Sequence, residues 1–238
     1  YTFPGGTTIP AGGYLLIYGG SPQASPGFYT GFNLDGQGET LSLYDTAANG
    51  QTLIDSVTFG LQVADHSIGR TGPGTSTWEL CIPTIGSFNI GISLGSPGDI
   101  RINEWLTQPS EVFEEEFVEL YNPSNQPMAL GNLRITDEPV NYPEKHVLPP
   151  LSFIDAESFV LLTPLGGDAN PARANELPFR LSSANEWVAL SGENGVLIDQ
   201  VHFVNQAADL SMGRTPDGGS NYQAYQIPTP GYSNSATL

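Results

Sequence analysis

The sequence contains an internal duplication, and no other feature constrains the fold as strongly. Residues 53–71 and 197–215 are identical at 12 of 19 positions at a constant offset of 144. Shorter matches continue on both sides, and the offset between the copies drifts only between 144 and 147. Because self-similarity at a fixed spacing is typical of repeated structural units, we interpret the chain as two copies of one domain.

The two copies are unequal in length. When Pro4 is aligned with Pro149 at an offset of 145, the alignment reaches the first residue of the chain. Residues 99–145 of the second copy therefore have no counterpart in the first. The first copy corresponds to the C-terminal two-thirds of a domain that is complete only in the second copy.

This unequal duplication predicts three segments. Residues 1–90 form a domain that lacks its first strands, residues 91–98 form a Gly/Ser/Pro linker, and residues 99–238 form a complete domain. Because the chain begins with Tyr1 and not with Met, we also expect it to be a processed or truncated piece of a longer protein. A sandwich without its opening strands exposes apolar faces, so we expect residues 1–88 to be unstable in isolation.

The pattern within each copy has a period of two residues. Leu197, Asp199, Val201 and Phe203 fall on one face of a predicted strand, and the residues between them fall on the other. Turn dipeptides separate such segments, and the 28 Gly and 20 Pro residues make the whole chain rich in turns. No window of a dozen residues carries a helical period without Gly or Pro. The predicted fold class is all-β, with tandem immunoglobulin-like β-sandwiches.

The amino-acid composition of the chain limits the partners that it can bind. The chain has 25 acidic and 7 basic residues, a formal net charge of −18, and such a surface repels phosphate backbones. Its apolar runs are far shorter than the roughly 20 residues of a membrane helix. We therefore expect no nucleic-acid partner and no membrane insertion.

A single lysine and the large negative charge favour an extracellular or cell-surface location. The one cysteine, Cys81, excludes an intrachain disulfide.

The sequence carries no arrangement typical of catalysis. His66, His146 and His202 lack metal-ligand spacing, and neither a nucleophile motif nor a P-loop is present. Structural roles are expected for all three histidines, and we expect the chain not to be an enzyme.

Two aspartates and two arginines recur at equivalent positions of the copies. Asp55 and Asp199 lie on the apolar face of the same predicted strand, and Arg70 and Arg214 follow at the same spacing. A buried carboxylate needs a partner, so we predict structural ion pairs between Asp55 and Arg70 and between Asp199 and Arg214. The alternative is that the arginines bind an anion.

An acidic cluster lies in the half that only the second copy contains: Glu111, Glu114, Glu115, Glu116 and Glu119. Calcium takes six to eight oxygen ligands, but the spacing of a calcium-binding loop is missing. Two interpretations stay open, a calcium site and a solvated acidic loop that runs into an edge strand. We expect no cofactor, with calcium as the alternative.

A series of motifs spans nearly all of the second copy: Ile102-Asn-Glu-Trp105, Glu116-Phe-Val-Glu-Leu-Tyr-Asn122, Leu130-Gly-Asn-Leu133, Phe159-Val-Leu-Leu162, Ser211-Met-Gly-Arg-Thr215 and Pro228-Thr-Pro-Gly231. In order and spacing they resemble the lamin-tail domain, the immunoglobulin-like sandwich of nuclear lamins and of many bacterial secreted and surface proteins. The first copy keeps Ser67-Ile-Gly-Arg-Thr71 but lacks the first half of the pattern. The resemblance implies a non-catalytic module. It does not imply the chromatin partners of lamins, because the chain has no coiled-coil rod or basic patch.

Two functions follow as hypotheses. The first is a structural or adhesive module of a secreted or cell-surface protein, whose partners are copies of itself or flanking domains. A neighbouring chain would then supply the strands missing from the first copy and so build fibres. The second is an accessory domain of a secreted hydrolase, a nuclease or a phosphatase, whose catalytic part lies outside this chain.

Overall fold

The computed structural model describes residues 1–72, 77–111 and 113–235. Contacts divide the chain into two compact units. The smaller unit comprises residues 1–36 and 64–92, and the larger unit comprises residues 37–63 and 93–238. These units follow spatial contact, whereas the boundaries 1–90, 91–98 and 99–238 follow sequence similarity, so that division stays a prediction.

Regular structure in the described residues consists of strands and short 3-10 turns. The first strands along the chain are β1 (Ile17–Tyr18), β2 (Phe28–Tyr29), β3 (Glu39–Tyr44), β4 (Leu53–Phe59), β5 (Ser67–Arg70), β6 (Trp78–Ile82) and β7 (Ile90–Gly91). They are followed by β8 (Arg101–Leu106), β9 (Phe117–Tyr121), β10 (Met128–Ala129), β11 (Arg134–Thr136), β12 (His146–Val147), β13 (Phe153–Ile154), β14 (Phe159–Pro164), β15 (Glu176–Leu177), β16 (Asn185–Ser191), β17 (Leu197–Val204), β18 (Ser211–Thr215) and β19 (Asn221–Tyr225). The turns are Ala47–Asn49, Pro97–Asp99 and Gly166–Asp168.

The smaller unit contains two small sheets. Strands β1 and β2 pair in parallel, and β5, β6 and β7 form an antiparallel sheet in that order. In this sheet Arg70 is directly opposite Trp78. Cys81 is buried in β6 as a free thiol.

A hairpin of β3 and β4 belongs to the larger unit, although its sequence lies in the first copy. Backbone hydrogen bonds attach both of its ends. The Ala174 N–H donates to the carbonyl of Gln37 at 2.8 Å, and the Phe153 N–H donates to the carbonyl of Leu61 at 2.8 Å. Leu61 also joins the hydrophobic core of the unit. The β3–β4 hairpin is thereby anchored at its base.

Two sheets of the larger unit pack face to face as a β-sandwich. One has six strands in the order β15-β14-β9-β8-β18-β19, and the other has four in the order β12-β11-β16-β17. Strands β8 and β9 lie at the centre of the six-stranded sheet, and their residues are buried on both faces. The side chains between the sheets form one core that includes Ile102, Leu120, Val188, Leu190 and Val201.

The predicted fold class is confirmed. The structure is almost entirely β, and its sheets form an immunoglobulin-like sandwich, as the period-two pattern and the frequent turn dipeptides indicate. Among the described residues, no helix has the length and apolar character needed to cross a membrane.

Candidate functional site

Asp199 and Arg214 form an ion pair inside the sandwich. The Arg214 Nη2 group donates to both carboxylate oxygens of Asp199, at 2.8 and 3.0 Å. The side chains are only 13% and 6% exposed, respectively. Asp199 lies on β17 of the four-stranded sheet and Arg214 on β18 of the six-stranded sheet, so the pair joins the two sheets.

Both residues of this pair also hold the backbone of Ile102 on β8. The Ile102 N–H donates to Asp199 Oδ2 at 2.8 Å, and Arg214 Nε donates to the Ile102 carbonyl at 2.8 Å. Arg214 Nη1 donates to the carbonyl of Gly219, and its guanidinium lies 4.7 Å from the centre of the Tyr222 ring. All three guanidinium nitrogens of Arg214 therefore have acceptors within the protein, which leaves little capacity for an external anion.

The equivalent residues of the first copy lie in different compact units. Asp55 is on β4 in the larger unit, where its Oδ1 accepts the Ser56 N–H at 2.9 Å. Arg70 is on β5 in the smaller unit, and its guanidinium lies 4.4 Å from the centre of the Trp78 ring. The Asp55–Arg70 pair stays a prediction. Each arginine does lie over the aromatic ring directly opposite it on the paired strand.

A network of buried carboxylates lies beside the Asp199–Arg214 pair. Glu104 on β8 is fully buried. It accepts hydrogen bonds from the backbone N–H of Thr229 at 3.1 Å, from Thr229 Oγ1 at 2.9 Å and from the Ser211 hydroxyl. These bonds attach the segment after β19 to the central strands of the six-stranded sheet.

Glu119 and Asp217 complete this carboxylate network through Asn103. The Asn103 Nδ2 group donates to Glu119 Oε1 at 3.0 Å and to Asp217 Oδ1 at 3.1 Å. Glu119 Oε2 accepts the Gly231 N–H at 2.6 Å, and Asp217 Oδ1 accepts the Asn234 N–H at 2.9 Å. Residues that are far apart in sequence are thereby joined around two central strands.

Burial changes the protonation of this carboxylate network. The pKa of Glu119 is raised to about 8, chiefly by loss of hydration. The nearby carboxylates of Glu104 and Asp217 add to this rise, and the hydrogen bonds from Asn103 and Gly231 oppose it. Burial also raises the pKa of Glu104. A carboxyl group with a pKa near 8 is mostly protonated at pH 7, so Glu119 is mostly a neutral acid there.

The acidic cluster divides into two environments. Glu111, Glu114 and Glu115 are exposed, whereas Glu116 is half-buried and accepts the Leu181 N–H at 2.8 Å. Glu119 is fully buried on β9, between β8 and β14, so the interpretation of this segment as a solvated edge strand is wrong. Within the described ranges, no group of three or more His, Cys, Asp or Glu residues could hold a metal ion. The expectation of no cofactor, with calcium as the alternative, stays a prediction.

The three histidines make local contacts. His66 Nδ1 lies 2.8 Å from the carbonyl of Ala64. His146 Nε2 lies 3.2 Å from the carbonyl of Ala174, and burial lowers the pKa of its imidazole. His202 stacks on the Trp187 ring with their centres 4.3 Å apart. These contacts provide no arrangement of a base and a nucleophile.

An exposed apolar surface distinguishes the β3–β4 hairpin from its counterpart in the second copy. Leu41 and Leu43 on β3 correspond to Val188 and Leu190 on β16 at an offset of 147. Each leucine is 42% exposed, whereas Val188 and Leu190 are 0% exposed. The register places Leu41 and Leu43 opposite Val57 and Asp55 of β4. We call the face that carries these four residues and Phe59 the apolar face of the hairpin.

Sequence reasoning missed the roles of Glu104 and Glu119. Both belong to motifs that resemble a family pattern, yet neither was proposed as a buried structural residue. The available signal was a glutamate within each of two short segments that begin and end with apolar residues, Ile102-Asn-Glu-Trp105 and Phe117-Val-Glu-Leu120. Strands buried on both faces show such near-continuous apolar runs, and a carboxyl group within one must find donors inside the protein.

One comparison with known proteins agrees with this geometry. No curated protein matches the chain. A family model does match, over a segment that includes β8 to β17 and therefore both sheets of the sandwich, but not β18, β19 or the first copy. This match, of residues 95–205 to the Lamin Tail Domain, supports the membership of that part of the chain in the lamin-tail family.

Proposed function

We propose that the protein is a structural and adhesive module of a secreted or cell-surface protein, and that it forms fibres when strands from a neighbouring chain complete the first copy. The family match supports a non-catalytic module. The observation that carries the proposal is the exposure of Leu41 and Leu43 at positions whose counterparts in the second copy are fully buried.

The second copy provides a template for what covers this face. Val188 and Leu190 share one core with Ile102 of β8 and Leu120 of β9. Both strands lie within residues 99–145, the segment without a counterpart in the first copy. The apolar face of the hairpin would therefore receive strands with the pattern of β8 and β9. Donation of strands between chains joins subunits through main-chain hydrogen bonds and buried side chains.

Asp55 also supports the proposal that a donated strand covers the apolar face of the hairpin. Its counterpart Asp199 accepts the backbone N–H of Ile102 on β8 at 2.8 Å. By this equivalence, Asp55 would accept a backbone N–H from the donated strand and fix its register. When such head-to-tail contacts between subunits do not close into a ring, they generate a filament.

The test uses a synthetic peptide of residues 99–121, which includes β8 and β9, added to the intact chain. We expect saturable binding that the substitution Leu43→Asp abolishes, because a carboxylate would be buried under the donated strands. Thr58→Asp is the matched control, since Thr58 is exposed and, paired with Thr40, lies on the opposite face of the hairpin. Failure of the peptide to bind, or equal binding by Leu43→Asp, would overturn the proposal.

A further inference from the structure

A groove opens at one side of the sandwich because its two sheets are unequal. Strand β17 is the last strand of the four-stranded sheet and contacts β8, whereas β18 and β19 continue the six-stranded sheet past β8. The groove encloses about 420 Å³ and lies between the edge of β17 and the side chains of Met212, Tyr222 and Ala224 on β18 and β19. This volume is within the range of about 300–1,000 Å³ that is typical of ligand sites.

The floor of the groove is aromatic and contains polar groups without partners. Trp105 stacks on Phe203 with their ring centres 5.5 Å apart and meets Tyr222 edge to face at 5.7 Å. Trp105 is 2% exposed, and its Nε1 has no hydrogen-bond partner among the described residues. The buried Nε2 of Gln206, which also lines the groove, has none in the same set. Buried N–H donors of this kind usually have acceptors, so this floor of the groove is a place where the polar groups of the sandwich are incompletely satisfied.

The edge of β17 adds backbone groups to the wall of the groove. The Asn205 N–H donates to the carbonyl of Ala184 at 3.0 Å. Asn205 and every second residue before it on β17, Phe203 and Val201, therefore direct their backbone groups towards β16. In an antiparallel ladder, alternate residues direct their backbone groups away from the partner strand. The backbone N–H and C=O groups of His202 and Val204 therefore point to the open edge of β17. An open edge is a template for one more strand.

We infer that the groove accepts an extended, uncharged peptide segment of a partner protein, which adds beside β17 as the fifth strand of the smaller sheet. Its alternate side chains would cover Tyr222 and Ala224, and its backbone would pair with the outward groups of His202 and Val204. Among the described residues that line the groove, none is Asp, Glu, Lys or Arg, although the whole chain carries a charge of −18. The groove thus favours an apolar segment over a charged one.

The probe is a display library of random linear decapeptides, selected against the intact chain. We expect enrichment of sequences in which apolar and uncharged polar residues alternate. Ala224→Trp should weaken their binding about tenfold or more, because the indole would fill the groove. Ala48→Trp is the matched control, since Ala48 is exposed in the turn after β3 and lies outside the groove. No enrichment, or equal binding by Ala224→Trp, would overturn the inference.

A second variant separates strand addition from binding of a compact ligand. His202→Pro removes one outward N–H of β17 without removing a bond to β16, so it should weaken a peptide that pairs with this edge. Binding that survives His202→Pro would contradict strand addition. If the intact chain alone forms a dimer that Ala224→Trp abolishes, the occupant is a second copy and the inference is wrong. Leu43→Asp should leave peptide binding unchanged, because this groove does not depend on the proposed completion of the hairpin.

Discussion

Leu43 and Leu190 occupy the same position in the two copies of the repeat, yet Leu43 is 42% exposed and Leu190 is 0% exposed. In the second copy, β8 and β9 contribute to the core in which Leu190 is buried. The first copy has no counterpart of the segment that contains those strands. Under the proposed completion of the first copy, the difference between the two leucines marks the surface that the donated strands would cover.

This relationship predicts different costs for the same substitution. Leu190→Ala should destabilise the chain by about 2–5 kcal/mol, because it removes buried methyl groups and leaves a cavity. Leu43→Ala should change stability by no more than about 0.5 kcal/mol in the isolated chain, as surface substitutions do. Chemical denaturation of both variants measures the difference. Equal losses would show that Leu43 is buried in solution.

Breaking the Asp199–Arg214 ion pair should strongly destabilise the folded chain. Asp199→Asn leaves the buried guanidinium of Arg214 without a counter-charge, which typically costs about 3–5 kcal/mol. The control is Asp168→Asn, because Asp168 pairs with Arg180 at 3.3 Å where the side chains are 84% and 56% exposed. Exposed pairs contribute less than about 1 kcal/mol. A loss of stability in Asp199→Asn no larger than in Asp168→Asn would contradict a structural role.

The buried carboxylates predict that stability falls as the pH rises. The unfolded chain releases the Glu119 proton near its ordinary pKa of 4.5, whereas the folded chain retains it to about 8. Between these values the folded state binds more protons, so the free energy of unfolding decreases with pH, by at most about 1.4 kcal/mol per pH unit for one proton. The contribution is fully present below pH 4.5 and is lost by about pH 8.

Denaturation midpoints across this pH range measure the effect. Glu119→Gln should flatten the slope, because its amide does not ionise, although the raised pKa of Glu104 leaves a residual slope of the same sign. Glu115→Gln is the control, since Glu115 is exposed. An unchanged slope in Glu119→Gln would show that Glu119 titrates normally.

Much of the fold follows from the sequence, but the placement of its elements depends on tertiary contacts. The period-two pattern predicts β17, with Val201 and Phe203 facing the core. The repeat singles out Asp199 and Arg214 because it preserves both at one spacing. Neither signal predicts that Glu119 is buried, because the segment before it is acidic and local composition does not report which strands are central. Only the pairing of β9 with both β8 and β14 determines that burial.

The assignment of the β3–β4 hairpin to the larger unit depends on Gly60 at its base. The Gly60 N–H donates to the carbonyl of Pro150 at 3.1 Å, and a Cβ at this position would overlap Ser152 Oγ. Ser152 Oγ in turn accepts the Leu61 N–H at 3.2 Å and donates to the carbonyl of Pro149 at 2.7 Å. The space beside Gly60 is thus occupied by a side chain that is itself held in place.

Gly60→Ala should therefore loosen the hairpin from the sandwich. Overpacking of this kind costs about 1–3 kcal/mol, and the backbone amides of β3 and β4 should exchange faster with solvent. Gly167→Ala is the control, because a Cβ there meets no atom within 4 Å. Hydrogen exchange followed by mass spectrometry compares the two variants. If β3 and β4 exchange at the same rate in both, the hairpin is not anchored through Gly60.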